Sequence, residues 1–156
     1  MSMHSAIALS KSLKTGDLLT AHRMLREGAD VNGMDLDHWT PMHVAAYAGQ
    51  ATAIFEMIRC GGDPNVVNDA DETPLHLAAR QGHREAVEIL LDHHAAIHTH
   101  SQHGQTPLSE ATSTGHKELV RYLRRRMNQR YVKQFADVVR GFGRMFKRRH
   151  DDVQVA

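Results

Sequence analysis

Thirteen histidines stand in a chain of 156 residues, and five of them, His93, His94, His98, His100 and His103, crowd one short stretch. Neutral imidazole is a zinc ligand and the side chain that titrates nearest neutral pH. In an extended segment His98 and His100 would share a face, because side chains alternate along a strand. His103 would then approach from the opposite arm of the turn. A closed zinc site needs about four ligands, and no cysteine lies nearby. The stretch is therefore assigned no metal, and adventitious nickel or zinc binding and a pH-sensitive loop stay open as its alternatives. Catalytic signatures are missing as well. There is no Gly-rich phosphate loop, no nucleophile elbow and no His-Glu-x-x-His helix. The single cysteine, Cys60, falls near a helix end, where a packed or idle thiol is expected rather than a nucleophile. The chain is expected to be no enzyme and to need no cofactor.

Four other histidines lead to the elements that must hold any site. Thr40-Pro41-Met42-His43, Thr73-Pro74-Leu75-His76 and Thr106-Pro107-Leu108-Ser109 recur every 33 residues, and Gly49, Gly82 and Gly115 each follow their Thr by nine. His83 and His116 come directly after two of those glycines. Counting back another 33 gives Ile7 and Gly16, which keeps the glycine frame without Thr-Pro. Thr before Pro predicts a helix start, since the hydroxyl caps orphan N–H groups and Pro at the first position loses no needed donor. Gly82 ends that short helix in a left-handed turn. A second helix follows, apolar at helical spacing through Ala86, Val87, Ile89, Leu90 and Leu91. Gly28 and Gly61 close the second helices of the first two units. One helix pair cannot bury its own apolar face, so neighbours must stack.

This pattern resembles the ankyrin repeat, through its 33-residue period and its Thr-Pro-Leu-His-x-Ala core, over about Ile7 to Arg126. The resemblance implies an all-α solenoid of stacked helix pairs with short β-hairpin fingers, and the tail reading below adds a C-terminal amphipathic helix. The repeat domain is expected over 1–128, in units of about 5–33, 34–66, 67–99 and 100–128. The first unit lacks Thr-Pro and a preceding finger, as an N-terminal cap would. The fourth has Ser109 for the His and no Gly at Met127, as a C-terminal cap would.

The resemblance also implies a protein-interaction module, an adaptor, targeting subunit or stoichiometric inhibitor, that grips another protein or peptide with finger tips and the concave side of its first helices. The family positions fall on Asp37, Trp39 and Tyr47, then Asp69, Glu72, Arg80 and Gln81, then His103, Gln105 and Ser113. Leu36, Ala48, Ala70, Gln102, Thr114 and, in the first unit, Lys14 and Thr15 complete them. Trp39, the only tryptophan, and Tyr47 are of the types that dominate interface hot spots. The competing expectation is that Trp39 packs on its own hairpin. Asp35, Asp37, Asp69, Asp71 and Glu72 gather on two adjacent fingers and would attract a basic partner. Ordinary turn chemistry explains them equally well.

Charge divides the chain. Residues 1–116 carry 7 Lys/Arg and 14 Asp/Glu, net −7, while residues 117–156 carry 12 and 4, net +8. Over 129–156, Tyr131, Phe135, Val139, Phe142 and Phe146 recur at helical spacing among Arg140, Arg144 and other basic residues. A cap over the fourth unit, an anionic membrane surface or partner groove, and nucleic acid or nuclear import are the readings of this tail. The alternative function is thus a peripheral membrane or nucleic-acid binder. A single cysteine and the lack of a signal peptide or an apolar span of about 20 residues point to the cytoplasm, with the nucleus as the other address. A monomer is expected.

Overall fold

The computed structural model describes residues 2–129. Helices α1 (Ser2–Thr15), α2 (Leu18–Arg26), α3 (Pro41–Ala48), α4 (Ala51–Arg59), α5 (Pro74–Gln81), α6 (Arg84–Asp92) and α7 (Pro107–Ser113) are followed by α8 over 117–129. The repeats form one compact unit, Met1–Val120, and the chain from Arg121 on falls in a second, described as far as 129. The tail residues Phe135, Arg140, Phe142, Arg144 and Phe146 lie outside the described residues. No described helix is long and apolar enough to cross a membrane.

Within the repeat unit the first helices stack in one layer, α1 on α3, α3 on α5 and α5 on α7, and α2, α4 and α6 line up in another. The 33-residue frame decides which side chains meet. Leu9, Met42 and Leu75 hold one position in successive units, and Ala45, Ala78 and Ala111 another, all of them buried. Alanine lets adjacent first helices approach closely, while each large side chain so buried contributes roughly 1.5–3 kcal/mol. Met57 and Leu90, with Ile54 and Val87, do the same for the second layer.

The Thr-Pro-x-His motif fastens the second unit to the third and the third to the fourth. Thr40 is an extended N-cap before Pro41. Its backbone N–H donates to His43 Nδ1 at 3.3 Å, and its hydroxyl lies 2.9 Å from the same nitrogen. With Nδ1 accepting, Nε2 carries the proton and donates to the Glu72 carbonyl of the following finger at 2.9 Å. His76 repeats this with Thr73 at 3.1 Å and the Gln105 carbonyl at 3.0 Å. Burial pushes both imidazoles below their ordinary pKa, against the upward pull of those carbonyls. In the fourth unit Ser109 Oγ takes over, accepting from the Thr106 N–H at 2.8 Å. The first unit has Ile7 where the Thr would stand. With no cap to start it there, α1 begins at Ser2 and runs 14 residues, against 8 for α3.

Glycines 49 and 82 end α3 and α5 with φ of 70° and 77°. Each also clears space, because a Cβ would fall 2.6 Å from the His83 ring or 2.5 Å from the His116 ring. Those rings cross to the preceding unit, where His83 Nε2 bonds the Tyr47 carbonyl and His116 Nε2 the Arg80 carbonyl, both at 3.0 Å. The Gly-His pair therefore caps one helix C-terminus with the next unit's side chain.

The fingers depart from expectation. No strand occurs among the described residues, and each expected β-hairpin is a tight turn closed by two backbone bonds, one of them from His38 N to Asp35, Asp71 N to Asn68 or Gly104 N to Ser101. Asp35 N donates to the Trp39 carbonyl, Asn68 N to Glu72 and Ser101 N to Gln105, at 2.8, 3.1 and 2.9 Å. The same three residues, 33 apart, take with their side chains the N–H groups a ladder would use. Asp35 Oδ1 accepts from Asp37 N and Trp39 N, Asn68 Oδ1 from Ala70 N and Glu72 N, and Ser101 Oγ from Gln105 N. Such side-chain competition with the backbone favours turns over strands. His38, Asp71 and Gly104, again 33 apart, reverse the chain with positive φ.

Candidate protein-docking face

Trp39 leaves the second unit's finger with its backbone fixed at both ends by Asp35, so its ring lies along α3. It meets Tyr47 edge-on, centroids 5.7 Å apart at 66°, and His43 at 6.3 Å. Trp39 is half-buried, whereas Tyr47 remains 47% exposed and Leu36, at the finger's tip, 79% exposed. Between finger and helices opens a cleft of about 470 Å³, lined by Lys14, Asp37, Trp39, Val44, Tyr47 and Ala48. One side of the ring packs on α3, and the ring also lines the cleft.

Lys14 reaches from the C-terminal turn of α1 to Asp37 at 2.6 Å and to Asp35 at 2.9 Å. The bond to Asp37 raises the ammonium's pKa against the opposing effect of burial. Burial works to raise the Asp35 carboxyl, but the bonds from Lys14 and from the Trp39 and Asp37 amides outweigh it and hold it below the usual range.

One unit on, the same positions carry charge instead of aromatic rings. Arg80 stands where Tyr47 does and Glu72 where Trp39 does, and the two are paired. Arg80 also forks onto Glu110 of the following helix, Nε to Oε2 at 2.9 Å and Nη2 to Oε1 at 2.8 Å. Its guanidinium pKa is driven further up by the Glu110 bond, and the Glu110 carboxyl is held down by the same bond. Asn68 Nδ2 donates to the other Glu72 oxygen at 3.1 Å. Both carboxylates are therefore committed internally, with side chains only 13% and 10% exposed. Asp69 by contrast is open, near His38 at 3.4 Å. In the fourth unit His103, Gln105 and Ser113 are exposed, and Gln81 of the third is half-buried. Gln105 Oε1 accepts from Ser109 and Ser113 Oγ donates to the Glu110 carbonyl.

The family model for ankyrin repeats (3 copies) matches residues 44–134, 91 of the chain's 156 residues. The chain belongs to the ankyrin-repeat family. No curated protein matches it. Ankyrin repeats serve as protein–protein interaction modules, and the cleft opens where an ankyrin unit presents its finger and first helix. The ankyrin frame also accounts for the motif histidines, since His43, His76, His83 and His116 all bond backbone or Thr groups between or within units. Among the described residues no group of three His, Cys, Asp or Glu is placed to share a metal ion. In the histidine-rich stretch His93 lies against the Phe55 ring at 5.6 Å, and His94 takes a left-handed backbone at φ 70°. Sequence reasoning passed over Glu110. Its signal was present, because it holds the frame position of buried Val44 and Leu77, where a charge demands a partner.

Proposed function

We propose that this ankyrin-repeat protein grips a partner protein on the face made by the second unit's finger and the outer side of α3. Trp39 and Tyr47 serve as apolar anchors, Leu36 extends the apolar ridge, and Asp37 and Asp69 supply the polar rim. The observation that carries the reading is the open cleft walled by Trp39 and Tyr47. Aromatic rings that offer contact area with few rotors are the side chains on which interface affinity concentrates. The neighbouring unit supports the same choice, because Arg80 and Glu72 spend their charge on each other and on Glu110. The role is that of an adaptor, targeting subunit or stoichiometric inhibitor, and no reaction is assigned to it.

Affinity capture from cell extract, read by mass spectrometry, tests this with three chains: intact, Trp39→Ala/Tyr47→Ala, and a Glu85→Ala control at an exposed position of α6. A protein retained by the intact chain and the control but lost from the aromatic double variant is the expected result. Equal retention by all three chains places recognition elsewhere.

A further inference from the structure

Resting on that docking face, we infer that its occupant is a cationic segment, an apolar side chain in the cleft flanked by Lys or Arg, and that Lys14 is a built-in competitor for the same acidic seat. Residues 28–80, which include both fingers and α3, carry eight Asp or Glu against two basic residues, Arg59 and Arg80, a net of −6, and Arg80 is held by Glu72 and Glu110. Arg59 lies on α4, in the layer with α2 and α6, and is not among the residues lining the cleft. Close to the apolar cleft the charge is directional. Asp37 lines it, with its side chain 69% exposed, and Asp69 on the next finger is 72% exposed. The third finger, Gln102-His103-Gly104-Gln105, has no carboxylate. A partner anchored between Trp39 and Tyr47 thus meets negative potential beside its anchor and neutral polar groups farther on. Complementary charge at such a rim sets both partner choice and association rate.

Lys14 is the one cation among the lining residues, and it supplies for the free protein what the partner would supply in the complex. Its ammonium bridges Asp35 and Asp37, with its side chain 44% exposed. The finger does not depend on that bridge for its shape. Asp35 Oδ1 separately holds the amides of Asp37 and Trp39 at 3.0 and 3.1 Å, while Lys14 is paired with Oδ2. An arriving Lys or Arg would share or displace the Lys14 ammonium at Asp37. Removing the positive charge at residue 14 should therefore tighten binding of a basic partner, the opposite of what loss of an interface lysine normally does.

The test selects a phage-displayed random peptide library on the full chain and measures Kd for a synthetic selected peptide by fluorescence anisotropy. Enriched peptides should place Lys or Arg within three residues of a large apolar side chain. Asp37→Asn/Asp69→Asn should weaken the peptide about four- to twenty-five-fold, at about two- to fivefold for each exposed charge pair. Lys14→Gln should tighten it about two- to fivefold by the same measure, and added salt should weaken it. Asp37 and Asp69 are exposed, so the double Asn variant folds and keeps the test meaningful if Lys14→Gln does not. Peptides that are acidic or uncharged, or a Kd unmoved by Asp37→Asn/Asp69→Asn, overturn the cationic occupant and leave the docking face standing. A Kd unmoved or weakened by a folded Lys14→Gln overturns the competitor role. Peptides that bind Trp39→Ala/Tyr47→Ala as well as wild type, or no enrichment at all, overturn the docking face itself; Tyr47→Ala alone replaces the double variant should that fail to fold.

Discussion

Replacing Arg80 with Ala should cost this protein about 2–3 kcal/mol at neutral pH, and the cost should shrink in acid. Arg80 forks onto Glu110 and also holds Glu72. The variant strands two carboxylates with 10% and 13% of their side-chain surface exposed. Removing one partner of a fully buried pair costs about 3–5 kcal/mol, and an exposed pair is worth about 0–1 kcal/mol. The guanidinium is 32% exposed and its partners nearly covered, which sets the estimate between those limits. The sign of the pH dependence follows from Glu110. Its carboxyl pKa is depressed in the folded protein by the Arg80 bond, so its contribution is present above the unfolded value and lost as pH falls through the folded value. In the variant Glu110 loses that bond, and protonation in mild acid relieves it. Urea unfolding at pH 7.5 and pH 4.5 therefore should show a large deficit for Arg80→Ala at the first and a smaller one at the second. The triple variant Arg80→Met/Glu72→Gln/Glu110→Gln should recover most of the loss, as replaced buried ion pairs do. A deficit under 0.5 kcal/mol, or one equal at both pH values, refutes the network.

Three further outcomes follow from the repeat frame. His94 holds the place of Gly28 and Gly61 with φ 70°. Relief of that left-handed strain by His94→Gly, net of glycine's greater freedom in the unfolded chain, should raise stability by about 0.5–1 kcal/mol; an unchanged or lower melting temperature contradicts it. Gly82→Ala places a Cβ 2.5 Å from the His116 ring at φ 77° and should cost about 2–3 kcal/mol in a urea melt, the sum of left-handed strain and a lost inter-unit bond. His43 and His76 are held below their ordinary pKa of 6.5 by burial, so the unfolded chain binds their protons first. Stability should be full above pH 6.5 and fall below it, by at most about 1.4 kcal/mol per pH unit for each. A flat profile from pH 7.5 to 5 refutes the neutral Nε2-protonated form.

The helices were legible from sequence because their signals are local. Pro41, Pro74 and Pro107 begin α3, α5 and α7 at the expected places, and Gly49 and Gly82 end the first two of these. The fingers were legible only as turns to come. Whether a ladder forms depends on Asp35, Asn68 and Ser101 capturing the amides, and that competition is settled by geometry, not by period. The same limit applies to the site. The 33-residue frame places Trp39, Tyr47, Glu72 and Arg80 on one face, yet it cannot say which of them satisfy each other. Tyr47 meets Trp39 and leaves a cleft, whereas Arg80 meets Glu72 and Glu110 and closes on itself. Lys14 was visible as a face position, but its reach to Asp35 and Asp37 crosses from one unit to the next finger.

Trp39 is expected to work for recognition more than for stability. Isothermal titration calorimetry of the captured partner on wild-type and Trp39→Ala chains, alongside a thermal melt of each, tests it most directly. Loss of a central aromatic anchor of at least 2 kcal/mol corresponds to a Kd roughly thirtyfold weaker, with a melting temperature lowered by only a few degrees. A Kd within twofold of wild type together with a large fall in melting temperature would make Trp39 a structural residue and remove the docking face proposed for it.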